Sequence, residues 1–153
     1  MDVKYVNPFV ESFATVMPQL GFGAIRKGKL SVKGAELISS GVIIIVGIVG
    51  AIRGNVVYSI EMETAKKVAS TMMMGMQVNE FDEMAKSALS ELTNMLTANA
   101  ATYFSTIGVP IDISIPTLLY GENISIKLST SKVLCIELLA DENPIEINIA
   151  FEN

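Results

Sequence analysis

The chain has 153 residues, half of them hydrophobic and only 18% charged, with no histidine, one cysteine and a net charge of −5. That length suits one domain spanning 1–153, able to bury roughly 68–70% of its unfolded surface, and the composition excludes a disordered tail. The acidic balance excludes a nucleic-acid ligand, which needs clustered Lys and Arg, and the lack of histidine removes the commonest general base and metal ligand.

The first element predicted is a helix over about 3–20, where Val6, Phe9, Val10, Phe13 and Met17 recur at helical spacing. Pro18 limits its continuation and Gly21-Phe22-Gly23 ends it. The densest basic group, Arg26, Lys27 and Lys29, reads as a solvated turn. Strands follow at about 29–33, 41–52 and 55–61, with Arg53-Gly54-Asn55 as the hairpin turn. The run from Gly41 to Ile52 is almost wholly apolar. It falls short of the ~20 residues a membrane helix needs, and its Val and Ile content fits a strand buried on both faces.

A second helix is expected over about 63–74. Its Met72-Met73-Met74-Gly75-Met76 cluster reads as core filling with a glycine stop, an adaptable binding surface being the alternative. The third and longest helix runs from about 79 to 106 and closes at Gly108. Asn79 is its candidate N-cap, followed by Glu80, Asp82 and Glu83 at the positive end of the helix dipole. The remainder reads as strands at about 109–115, 124–128, 133–139 and 145–151, punctuated by Pro116 and Gly121. Ile145-Glu146-Ile147-Asn148-Ile149 alternates, so one face is buried and the other wet.

Cys135 lies in the apolar run Val133-Leu134-Cys135-Ile136 and has no histidine to activate it, so it reads as a buried, inert thiol. The opening Met1-Asp2-Val3-Lys4 carries no basic-then-apolar leader, and a reducing cytoplasm is the expected compartment. The order helix–strands–helix, then helix–strands, hints at two related halves. An ungapped match of Leu20-Gly21 to Ile107-Gly108 sets Lys4 opposite Glu91 and Asn7 opposite Asn94.

The chemistry concentrates on the third helix. At about 100° per residue its core stripe collects Phe81, Ala85, Ala88, Leu89, Leu92, Met95, Leu96 and Tyr103. The opposite side collects Glu83, Ser87, Ser90, Glu91, Asn94, Ala98 and Ala101. A carboxylate and a carboxamide three residues apart thus sit among small side chains, where a partner's surface can approach closely. An ordinary solvated face carries Lys–Glu pairs at i,i+4, yet only Lys86 is basic along this helix. On the pattern alone, Glu91 and Asn94 read as ordinary solvent-facing helix residues, since E-x-x-N recurs by chance.

The stretch Ser87-Ala88-Leu89-Ser90-Glu91-Leu92-Thr93-Asn94-Met95 resembles the phosphatase motif of the CheC/CheX/FliY family, a Ser or Asp followed by E-x-x-N, and Pro116 matches the proline that follows it. Gly54-Asn55-Val56-Val57-Tyr58-Ser59, Glu63-Thr64-Ala65, Val6-Asn7-Pro8-Phe9 and Pro116-Thr117-Leu118-Leu119-Tyr120-Gly121 resemble the CheX branch in particular. Thr93 stands where the family commonly has glycine, and reads as pointing to the side of the helix.

This resemblance implies an α+β, CheC-like fold: two related helix–strand halves and a largely antiparallel sheet packed against long helices. It implies a phosphatase for the aspartyl phosphate of a phosphorylated CheY-type response regulator, with Asn94 orienting the attacking water and Glu91 anchoring the regulator's lysine. Ser87, Ala98 and Pro116 are the expected partner contacts. No cofactor of the chain's own is implied, since Mg²⁺ is held by the regulator. A homodimer joined through its sheets is implied, with no membrane or nucleic-acid partner. The alternative is a non-catalytic adaptor resembling flagellar switch proteins.

Overall fold

The apolar run at Gly41 is the middle of the longest strand in a computed structural model that describes residues 3–152. This strand, β2 (Glu36–Gly50), pairs antiparallel with β3 (Gly54–Ile60) over Val42–Ile48. Alternate residues serve opposite faces. Val42, Ile44, Val46 and Ile48 enter the main core, while Ile43 joins Leu37, Val57, Leu128, Val133 and Ala150 in a second apolar cluster. Burial on both faces is therefore as the sequence predicted.

The strand starts five residues earlier than expected because β5 (Thr117–Lys127) lies along its whole first part, from Glu36↔Lys127 to Ile45↔Thr117. Gly41 makes this possible. Its φ of +113° suits glycine, and a Cβ there would lie 2.4 Å from the Ile60 carbonyl oxygen. The ladder slips a register between Ser39 and Gly41, where Gly41 pairs Gly121. Gly121, read as a break, is thus absorbed into one strand that begins just after Pro116. The hairpin turn is Ala51–Arg53, with Gly54 already in β3.

The other strands are β1 (Ile25–Lys33), β4 (Ile111–Ile113), β6 (Val133–Ala140) and β7 (Asn143–Phe151). Arg26, Lys27 and Lys29 thus lie in β1 and not in the turn expected, because Arg26 and Lys27 pair with Leu139 and Leu138 of β6. All pairings are antiparallel, in the order β1-β6-β7-β3-β2, with β4 and β5 both on the outer side of β2. The predicted strand over 109–115 shrinks to three residues, because only Ile111–Ile113 reach the last turn of β2. Strand order supports two halves: β1, β2 and β3 correspond to β5, β6 and β7 about the central β3–β7 pair, and each half's first strand pairs with the other half's second.

Three helices share the main core with one face of this sheet. A 3-10 turn (Val3–Tyr5) precedes α1 (Asn7–Gln19), replacing the single helix expected from residue 3. Pro8 falls in the first turn of α1, where a missing N–H costs nothing. α2 (Met62–Met72) stops before Met74, whose φ is +60°. The methionine cluster divides there: Met72 and Met73 pack on the core, whereas Met74 and Met76 are exposed, so core filling accounts for only the first two.

α3 spans Glu83–Thr106. The capping expectation is corrected here, since the N-cap is Asp82, whose carboxylate accepts from the Ala85 N–H at 3.0 Å. Asn79 instead accepts from the Gln77 side chain. At the other end Gly108 (φ +77°) closes the helix, with Gly108 N–H bonded to the Ser105 carbonyl and Val109 N–H to Phe104. No helix among the described residues is long and apolar enough to cross a membrane.

Candidate functional site

Burial of Ala85, Leu89, Leu92, Leu96, Ala100 and Phe104 fixes the rotation of α3 about its axis. The opposite side therefore faces out: Ser87 and Glu91 are exposed, Ser90 and Asn94 half-buried. These four side chains form one wall of a shallow groove of about 440 Å³. The connection from β4 to β5 forms the other, through Ile113, Ser114, Ile115 and Pro116.

That second wall is held by the sheet. The Ser114 hydroxyl accepts from the Gly47 N–H at 2.8 Å, and the Ser114 N–H donates to the Gly47 carbonyl at 2.9 Å. The same hydroxyl donates to the Ile115 carbonyl at 3.2 Å. Gly47 admits this contact because it lacks a side chain; a Cβ there would meet Ser114 Oγ at 3.1 Å. Pro116 then fixes the next φ.

Neither Glu91 nor Asn94 is used internally. Among the described residues, Glu91 makes no ion pair and the Asn94 carboxamide no hydrogen bond within the chain. The one basic residue of the helix is committed elsewhere. Lys86 bonds Glu83 at 3.1 Å and the Tyr120 hydroxyl at 3.2 Å, and lies 4.3 Å from that ring's centroid. These contacts raise the Lys86 pKa, chiefly through the Tyr120 hydrogen bond. Glu91 is thus left as an uncompensated negative charge beside an amide with both donor and acceptor open.

Of the residues singled out in the sequence, Ser87, Glu91, Asn94 and Pro116 meet in this groove. Ala98 is exposed one turn further along the same face, outside the groove's lining. Ser90 was placed on the wet face, and Ile113, Ser114 and Ile115 were missed as site residues. Their only signal is proximity to Pro116 in sequence; the register that brings them to α3 runs through Gly47.

Thr93 corrects the sequence reading: it is fully buried, as is Thr97, while Ala88, Met95 and Tyr103 of the expected core stripe are only half-buried. Tyr103 meets the Thr15 hydroxyl at 3.0 Å. Cys135 is buried on β6, and burial, with Glu146 nearby, pushes its thiol up to about 11. A larger hollow of about 640 Å³ lies elsewhere, lined by Ser39, Ser59, Glu61 and Glu146 among others, and contains neither Glu91 nor Asn94. The smaller groove is the candidate site, because an open, shallow surface with unengaged polar groups suits a protein partner. Among the described residues, no three Asp, Glu, His or Cys side chains converge as metal ligands.

Comparison with known proteins places the chain among its relatives. Residues 42–139 match the family described as chemotaxis phosphatase CheX. The chain is 38% identical over 128 residues to the CheY-P phosphatase CheX of Thermotoga maritima, covering 83% of this chain and 82% of that protein. A CheC-like superfamily protein from Shewanella sp. PV-4 superposes with a TM-score of 0.87 at 25% identity, over 100% of both chains. CheX from Borrelia burgdorferi, solved as a CheX–CheY–BeF3–Mg²⁺ complex, superposes with a TM-score of 0.83 at 30% identity, over 99% of this chain and 100% of that one.

Proposed function

The chain belongs to the CheX family of chemotaxis phosphatases, and on that footing we propose that it hydrolyses the aspartyl phosphate of a CheY-type response regulator. The observation that carries this reading is the pairing, in one groove, of an unengaged carboxylate and an unengaged carboxamide one helical turn apart.

Asn94 enters the regulator's active site and binds the attacking water. Its carbonyl oxygen accepts from the water and its NH₂ donates, so the water is oriented in line with phosphorus without losing a proton to the amide. The glutamine that orients water in GTPases works on the same principle. Phosphoryl transfer asks the protein mainly for position and electrostatics, and a neutral amide suffices for the first. Glu91 pairs with the regulator's active-site lysine and sets the helix in register through a charge-assisted bond. Ser87 and Pro116 flank the pair as partner contacts, with Ala98 giving close approach beyond it.

Mg²⁺, held by the regulator's own acidic residues, neutralises charge developing on the phosphoryl oxygens. The CheX–CheY complex of Borrelia burgdorferi contains that ion together with BeF3. The chain forms a homodimer through a sheet edge, in the cytoplasm.

Asn94→Ala tests the catalytic assignment. It should lower stimulated phosphate release by about 2.7–4 kcal/mol, the loss typical of one preorganised transition-state contact, while the half-exposed site leaves the fold intact. Release from ³²P-labelled regulator at the wild-type rate would remove Asn94 from the mechanism. A chain that binds the regulator but releases no phosphate would instead be the adaptor.

A further inference from the structure

Ile115 stands on the groove's rim opposite Glu91 and Asn94, and is 88% exposed. Single exposed apolar residues are common on protein surfaces and need no function. This one differs in how it is held. Its carbonyl accepts from the Ser114 hydroxyl, Ser114 is bonded in both directions to Gly47 of the central strand β2, and Pro116 restricts the next backbone angle. Ile113, two residues earlier, packs against the main core. An aliphatic side chain is therefore presented to solvent from a fixed backbone, so little ordering entropy is lost when a partner covers it. All other side chains lining the groove are polar or small except Ile113 and Pro116.

We propose that Ile115 is the apolar anchor of regulator recognition, covered by the receiver surface when Glu91 meets the regulator's lysine. The inference rests on the regulator being the partner. Glu91 supplies charge and Asn94 supplies chemistry; neither supplies buried apolar area, and Ile115 does. The occupant is the phosphorylated receiver domain itself, since the anchor and the two polar groups line one continuous groove. Ile115 acts on affinity and on the choice among regulators, not on the water.

The test compares wild type, Ile115→Ala, Ile115→Val and Ile115→Asp, using hydrolysis of phosphorylated regulator and titration of regulator loaded with beryllofluoride and Mg²⁺. For Ile115→Ala, Kd and KM should rise about ten- to a hundredfold, as expected for losing one buried aliphatic side chain, with kcat unchanged. Ile115→Val should restore most of the binding, and Ile115→Asp should abolish it. Thermal unfolding of all four should coincide, because the side chain touches little of its own fold.

An Ile115→Ala protein with wild-type Kd and KM would overturn the proposal while leaving the phosphatase reading intact. A fall in kcat at constant KM would overturn it too, making Ile115 a positioning residue. Wild-type binding without hydrolysis, weakened by Ile115→Ala, would keep the anchor and sink the catalytic reading. No binding by the wild type would sink both.

Discussion

Thr93 lies in sequence between Glu91 and Asn94 and points the opposite way, into the core. Its hydroxyl donates to the Leu89 and Ser90 carbonyls, and its own carbonyl accepts from the Thr97 hydroxyl at 2.6 Å. Thr97 in turn lies 2.7 Å from the Tyr58 hydroxyl on β3. Thr97 has spent its proton on Thr93, so Tyr58 is the donor. Burial holds the Tyr58 phenol well above its ordinary pKa, so it keeps that proton across the working pH range. Thr97→Val leaves a buried donor without an acceptor and should cost about 1–3 kcal/mol; Tyr58→Phe removes the donor and should cost less. Urea unfolding of the two variants decides it, and a larger loss for Tyr58→Phe would reverse the assigned direction. The helical stripe missed both threonines because a hydroxyl bonded to its own helix behaves as an apolar group. The outward placement of Glu91 and Asn94 was legible because periodicity alone puts them outside. Removing the Glu91 charge should act on affinity: Glu91→Ala should weaken regulator binding about 10- to 100-fold, the worth of a hydrogen bond to a charged group. A Kd unmoved in titration would contradict the lysine contact.

The helix that carries Glu91 and Asn94 depends on its ends differently from its middle. A helix of 24 residues is about 36 Å long, and Asn94 is well clear of both termini, where fraying is confined to the last turn. Asp82→Ala should therefore lower stability by about 0.5–2 kcal/mol through the lost cap, with phosphatase kinetics per folded molecule unchanged. Asn79→Ala should be near neutral in the same thermal melts; the reverse ranking would return the cap to Asn79. From sequence, Asn79 alone reads as the cap and Asp82 as a first-turn carboxylate, yet propensity ranks Asn and Asp equally at that position. What separates them lies in the folded chain: it bends at Asn79 and Glu80, the Asp82 N–H closes onto the Glu80 carbonyl at 2.9 Å, and Phe81 packs edge-on to Tyr120, ring centroids 6.0 Å apart, so the helix starts only after Asp82. The groove's second wall was illegible for the same reason. Ile113 to Pro116 reach α3 only because β4 and Gly47 share a register on β2, a contact 67 residues apart in sequence.

Across the whole molecule the two halves are alike in strands and unlike in helices. α1 has 13 residues against 24 in α3, so Asn7 sits at the very start of its helix and Lys4 in the preceding 3-10 turn. The ungapped match that sets them opposite Asn94 and Glu91 therefore finds no helix face on the first half to display a second pair. The same pseudo-symmetry leaves β1 at one edge and β5, beside the three-residue β4, at the other, and the two long edge strands are protected unequally. β1 carries Arg26, Lys27, Lys29 and Lys33 and a register shift between Lys27 and Leu30, the charged, irregular edge that resists pairing. β5 has 11 residues with Glu122 and Lys127 as its only charges, and exposes Leu119 and Tyr120, whereas the exposed Leu30 and Val32 of β1 lie among its four cations. The proposed homodimer is therefore expected to join through β5, antiparallel edge to edge about a two-fold axis. Leu119→Lys should convert it to a monomer in sedimentation equilibrium, giving the 16.5 kDa chain mass. Val32→Lys, an equally charged change on β1, should leave the dimer intact. A wild-type monomer would end the dimer proposal, and dissociation by Val32→Lys alone would move the interface to the opposite edge.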